Sequence, residues 1–167
     1  MKTACFTGHR PSSFRFGYNE ESKGFIRIDE QLRCAISDLW MDGYRRFYTG
    51  MAEGVDIWAA EDVLRATKCY EDIELYAVVP YPDQRNTMNE DFQKRYDHVL
   101  DCCIDVIYTS KIYAPDCFKK RNYYMVEHSD AVVAVYNPDK WRSGTGQTVR
   151  YAEKLGKRII HINPNAR

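Results

Sequence analysis

The chain predicts an α/β fold with a Rossmann-like, doubly wound and mostly parallel sheet carrying helices on both faces. Three observations carry that prediction. Short apolar runs alternate with longer stretches whose apolar residues recur at helical spacing, from one end of the chain to the other. Several of the apolar runs stop at glycine, the residue that lets a strand turn tightly into a helix. The C-terminal part holds a strand, a glycine loop, a helix and a second strand, which is the sequence form of a parallel βαβ unit. Regular alternation of this kind sandwiches one sheet between two helical layers.

Thr3 to Thr7 reads as a first strand, ending in Gly8-His9-Arg10-Pro11, where proline halts regular structure. Ser12 to Lys23 is an irregular loop, and its aromatics from Phe14 to Tyr18 mark a candidate partner or homo-oligomer surface. A helix follows from about Gly24 to Asp42, with Ile28, Leu32, Ala35, Ile36 and Leu39 on one stripe and Gly43 as its stop. Arg46 to Thr49 is the second strand and runs into Gly50-Met51-Ala52-Glu53-Gly54. Val55, Ala59, Ala60, Val63 and Leu64 line the next helix. Ile73 to Val79 is the third strand, closed by Pro80-Tyr81-Pro82. From about Asn86 a helix carries Phe92, Tyr96, Val99 and Cys103 into the strand Asp105 to Tyr108. Thr109 to Lys120 reads as loop, with Pro115 in it or at a helix start, and Arg121 to His128 as a short helix. Asp130 to Tyr136 is a buried strand, followed by a turn at Asn137-Pro138-Asp139 and the loop Arg142 to Thr148. Val149, Ala152 and Leu155 mark the last helix, Gly156 its end, and Lys157 to Ile162 the last strand.

At 167 residues the chain predicts one domain over 1–167. Lysine plus arginine and aspartate plus glutamate number 24 each, so no global charge steers the protein toward nucleic acid or anionic lipid. The six cysteines are scattered or adjacent and form no CxxC pair, which fits reduced thiols in a cytosolic protein. The four scattered histidines give no metal site. The N-terminus is too short and polar for a signal peptide, and no apolar run approaches a membrane span. A cytoplasmic protein with no membrane partner is the expectation.

Ligands of such sheets bind beyond the carboxyl ends of the strands. Three glycine loops fall there: Thr7, Gly8, His9 and Arg10; then Gly50, Met51, Glu53, Gly54 and Asp56; then Ser143, Gly144, Thr145 and Thr148. Helix starts offer free N–H groups and partial positive charge, so a phosphate or carboxylate is the natural guest. Arg10 suits bidentate phosphate recognition, or a surface ion pair; His9 suits a ligand contact, or holds its loop. Asp56 suits a ribose hydroxyl, or caps its helix. Glu53 suits ribose, a metal-bridged phosphate or water. Arg121 and Asn122, at the start of their short helix, suit a second phosphate contact or a salt bridge. Thr145 suits phosphate or a helix cap, and Tyr81 a base or a covering role. Gly144-Thr145-Gly146 begins like a dinucleotide fingerprint, but Val149 stands at its third glycine; no Walker A loop and no GxSxG elbow occur.

Thr7 to Pro11, Thr49 to Asp56, Arg121-Asn122 through Met125-Val126 to Ser129-Asp130, and Ser143-Gly144-Thr145 through Thr148 to Tyr151-Ala152 together resemble the YpsA family. That family lies in the SLOG superfamily with DprA and the LOG-type phosphoribohydrolases. The resemblance covers nearly the whole chain. It implies a Rossmann-like fold and a pocket for a nucleotide or nucleotide-derived ligand, related to NAD, ADP-ribose or a phosphoribosyl compound, in a sensing or regulatory bacterial protein. No cofactor is required, and Mg2+ is compatible with a bound nucleotide. Two relatives supply alternatives. Gly50 to Glu61 is similar to the DprA pattern, which implies single-stranded DNA binding; the balanced charge argues against nucleic acid. LOG-like hydrolysis of an N-glycosidic or phosphoribosyl bond needs a helical glutamate, and its position falls at about Arg150. Glu53 and Asp56 are the candidate catalytic replacements.

Overall fold

Six short extended runs pair in parallel: β1 (Lys2–Gly8), β2 (Tyr44–Thr49), β3 (Glu74–Val79), β4 (Asp105–Tyr108), β5 (Ala131–Val135) and β6 (Arg158–Ile162). In this computed structural model, which describes residues 1–165, they lie in the order β4-β3-β2-β1-β5-β6. The crossovers are the helices α1 (Lys23–Met41), α2 (Val55–Ala66), α3 (Glu90–Cys102), α4 (Cys117–Glu127) and α5 (Gly144–Lys154). All of β5 is buried because helices cover both faces of the sheet there, which is why it reads as an unbroken apolar run. The predicted doubly wound architecture is the one observed.

Side-chain alternation along the strands divides the core. Ala4, Phe6, Phe47, Leu75 and Val133 face one way, with Ile28, Leu32, Ile36, Trp58, Val63 and Phe92 from α1, α2 and α3. Cys5, Tyr48, Val78 and Val132 face the other way, with Met125 and Val126 of α4 and Ala152 of α5. The five apolar residues read as the stripe of α1 are all buried, each contributing roughly 1.5–3 kcal/mol when large and aliphatic.

Register brings the site together. Gly8 of β1 lies beside Val135 of β5, so these strands end level. The chain winds outward from β1 through β2, β3 and β4, then returns to place β5 on the other side of β1. Crossovers therefore diverge between β1 and β5, leaving a crevice beyond their carboxyl ends.

Two expected boundaries are corrected. The helix expected from about Asn86 is a 3-10 turn at Pro82–Thr87 followed by α3, whose start Asn89 caps by accepting the Phe92 N–H at 2.9 Å. The expected loop up to Lys120 and helix from Arg121 give way to α4 starting at Cys117, which puts Arg121 and Asn122 in its second turn. Cys117, Arg121 and Met125 form a buried stripe at spacing four. Arginine in that stripe reads as polar in the sequence and hides the period.

Candidate functional site

The loop after β2 is the most constrained part of the molecule. Met51 adopts a left-handed backbone (φ 64°) while fully buried, a conformation that persists only where its surroundings over-determine it. Thr49 Oγ1 accepts the Met51 N–H at 3.3 Å and donates to the Asp56 carbonyl at 2.9 Å. Asp56 Oδ2 accepts the Ala52 N–H at 3.2 Å. The Gly50 carbonyl accepts from Arg121 Nη1 and from Gln84 Nε2. A Cβ at Gly50 would lie 2.5 Å from Arg121 Nη1, so glycine makes room for the guanidinium. At Gly54 φ is 91° and ψ −132°, and a Cβ would stand 2.8 Å from the His9 carbonyl.

The helix start of α5 is built differently. Ser143 is its cap, accepting the Gly146 N–H at 3.1 Å, so the capping role considered for Thr145 belongs to Ser143. The N–H groups of Gly144 and Thr145 find no acceptor among the described residues, as expected for the first turn of a helix. A Cβ at Gly144 meets nothing within 4 Å, whereas one at Gly146 would strike the Trp141 carbonyl at 2.2 Å. The first glycine faces the cleft; the second permits close packing.

Between these loops lies a cleft of about 280 Å³. From the loop after β1 it takes Thr7, Gly8, His9, Arg10 and Ser13; from the α2 side Ala52 and Asp56. From α4 it takes Phe118, Arg121 and Asn122, and from the α5 start Ser143, Gly144 and Thr145. Gly50, Met51 and Gly54 shape the wall from behind, and Thr148 turns inward to donate to the Gly144 carbonyl at 2.8 Å. Glu53 points away: its carboxylate accepts the Tyr18 hydroxyl at 2.6 Å and the Asn89 N–H at 2.9 Å. Tyr81 is buried against Tyr113 and Phe118, in the covering role.

Sequence reasoning missed Ser13, Ala52 and Phe118. Phe118 carried a signal, since it stands three residues before Arg121 and shares its helix face once α4 starts at Cys117. Ser13 and Ala52 carried none.

Two cations and one carboxylate set the charge of the cleft. Arg10 is exposed, with its guanidinium 5.0 Å from the Phe118 ring centre and, among the described residues, no carboxylate within 4.0 Å. Arg121 is buried, 5.8 Å from the same ring, and its Nε donates to Asn122 Oδ1 at 2.7 Å. The ring face between the two guanidiniums offsets part of their repulsion. Burial pushes the Asp56 carboxyl above the usual carboxylate range, against the pull of Arg121, the Ala52 N–H and Arg10. Asp56 is not the cap of α2, a position that Gly54 holds.

His9 is a structural pin. Its Nε2 accepts the Asn137 N–H at 3.1 Å, so that nitrogen carries no proton. Burial, aided by Lys140, lowers its pKa from 6.5 to about 4. Between those values the unfolded chain binds more protons, so stability is complete above pH 6.5 and falls as pH drops toward 4. The loss amounts to roughly 3 kcal/mol. Urea titrations between pH 4 and 7 should show this slope, and His9→Gln should flatten it.

Comparison with known proteins agrees with the fold and motifs. Residues 4–166 match the YspA SLOG family. A UPF0398 protein of Bacillus thuringiensis (strain Al Hakam) is 31% identical over 143 residues, covering 84% of this chain and 77% of its own. One from Bacillus cereus (strain AH187) is 31% identical and one from Bacillus cereus (strain G9842) 30%, with the same coverage. Among the described residues no helix is long and apolar enough to cross a membrane. A match over almost the entire length, on a parallel sheet whose strand-end loops carry the motifs, means that the chain belongs to the YpsA family of SLOG proteins.

Proposed function

We propose that this protein binds a nucleotide or nucleotide-derived ligand, phosphate first, at the carboxyl ends of β1 and β5, and acts in the cytoplasm as a sensor or regulator. The observation that carries the reading is the convergence of Arg10, Arg121 and the free Gly144 and Thr145 amides on one cleft with a single carboxylate. Two guanidiniums, a helix start and one acid leave positive potential for an oxyanion. At about 280 Å³ the cleft suits a phosphoribosyl group, with any base or second ribose extending beyond it. Asp56, the one carboxylate in the wall, addresses a ribose hydroxyl. No cofactor takes part in this reading; Mg2+ would arrive only with a polyphosphate ligand.

Binding without turnover is favoured because the acids a glycosidase needs are occupied or replaced. Glu53 is held by Tyr18 and Asn89 outside the cleft, and Arg150 donates to the Trp141 carbonyl. The raised pKa of Asp56 supports a second reading, a LOG-like phosphoribohydrolase with Asp56 as its acid–base group. Base release detected by chromatography and abolished by Asp56→Asn would establish it. Single-stranded DNA is not the partner in either reading, and affinity should lack the steep salt dependence of strand binding.

A thermal-shift screen of AMP, ADP, ADP-ribose, NAD and phosphoribosyl compounds tests the proposal. A true ligand at a hundredfold its Kd stabilises the folded protein by about 2.7 kcal/mol. Gly144→Val, whose side chain enters open space, should weaken binding at least tenfold, about 1.4 kcal/mol, with little change in unliganded stability. If no compound shifts the wild-type melting temperature more than that of an Arg10→Ala/Gly144→Val variant, the cleft is not a nucleotide site.

A further inference from the structure

Behind the wall formed by Ser13 and the loop after β5 lies a second cavity, of about 560 Å³, that the nucleotide reading does not use. Its charged lining is Arg15, Arg27 and Lys140, with no carboxylate among the described residues that form it. Three cations around one cavity repel one another and hold positive potential in the water between them. Arg15 has no carboxylate within 4.0 Å among the described residues. Lys140 donates to the Ser13 carbonyl at 3.0 Å, which fixes its ammonium at the cavity edge without neutralising it.

The surroundings repeat this one-sided charge. The first turn of α1 carries no acidic residue, while Lys23 and Arg27 stand at that end of the helix. Cations at a helix N-terminus oppose its dipole and cost stability unless an anion offsets them. The amides of Asn137 and Asn165 and the ring of Phe16 complete a lining that is polar on one side and aromatic on the other. Ser13 belongs to both cavities, so they adjoin.

We infer that the cavity formed by Arg15, Arg27 and Lys140 is a second anion site, for a phosphoryl or pyrophosphoryl group, adjoining the strand-end cleft and independent of it. The group is either the second phosphate of a ligand that also fills the first cleft or part of a separate phosphorylated molecule. Loss of a charge-assisted contact costs about 1.5–3 kcal/mol, so removing two of the three cations should weaken the site at least tenfold.

Titration of the 15N-labelled protein with inorganic pyrophosphate, followed by amide shifts, tests this in three proteins. In the wild type the amides of Phe16, Gly24 and Asn137 should shift and saturate. They should do so unchanged in Arg10→Ala/Gly144→Val, which closes only the first cleft. In Arg15→Gln/Lys140→Gln, exposed positions whose replacement leaves the core intact, the same shifts should need at least tenfold more pyrophosphate. Absence of saturating shifts at these amides in the wild type, or their survival in Arg15→Gln/Lys140→Gln, overturns the inference. Failure of the Gly144 amide to respond while the Gly24 set does would instead sink the nucleotide reading and leave this site standing. Adenosine 3′,5′-bisphosphate against AMP separates the two sources. A preference of about tenfold for the bisphosphate, lost in Arg15→Gln/Lys140→Gln, identifies one spanning ligand; equal affinity with intact pyrophosphate binding identifies a separate one.

Discussion

Arg121→Met should lower stability by about 3–5 kcal/mol, the range for breaking a buried charge interaction from one side. For a chain of this length that is a fall of roughly 10 °C in melting temperature. Methionine fills similar space, so the loss isolates charge and hydrogen bonding. The Gly50 carbonyl and Asn122 Oδ1 lose their donor. Asp56, 6% exposed, loses the strongest electrostatic pull that keeps its carboxyl down. The folded-state pKa of Asp56 is already raised, so its folded form binds protons more readily than the unfolded chain does. Stability therefore falls as pH rises through that window, and more steeply without Arg121. Urea unfolding at pH 5 and pH 8 should show the larger deficit at pH 8. Adding Asp56→Asn should restore about 1–2 kcal/mol at pH 8, the coupling expected of interacting neighbours. A deficit below about 1 kcal/mol, or one independent of pH, would mean that Arg121 is a bystander to the buried carboxylate.

Gly54→Ala should cost about 3 kcal/mol or more. Its backbone lies where side chains are strained by about 1–3 kcal/mol, and the added methyl must displace the His9 carbonyl, 2.8 Å away, or the Pro11 ring, 2.9 Å away. Overpacking of this kind adds roughly 1–3 kcal/mol. Because Gly54 ties the loop after β2 to the loop after β1, hydrogen exchange should accelerate first at Met51, Ala52 and Val55. Gly144→Ala is the control, with an open position and no backbone strain. Equal midpoints for the two variants would remove the geometric argument for the loop.

Much of the fold was legible because its signals are local. The stripe of α1 repeats every three or four residues, and β5 is an uninterrupted apolar run between turn residues; neither needs a distant partner to be read. Reading stopped at α4, where the residue that completes the buried stripe is a cation. An arginine becomes a core residue only when a glycine carbonyl and a carboxylate from other elements are there to receive it, and these lie 71 and 65 positions earlier in the chain, at Gly50 and Asp56.

The candidate site divides in the same way. By itself the sequence determined that three strands end in small, polar loops, that those loops resemble one family, and that two helix starts are available for an anion. These follow from residue type at neighbouring positions. Only the tertiary structure decided that Glu53 turns to Tyr18 and Asn89, that His9 pins the loop after β5, and that Phe118 lies between two guanidiniums. A side chain's direction depends on which partner satisfies its charge or hydrogen bond at least cost, and those partners come from distant parts of the chain through the crossing of strands and helices.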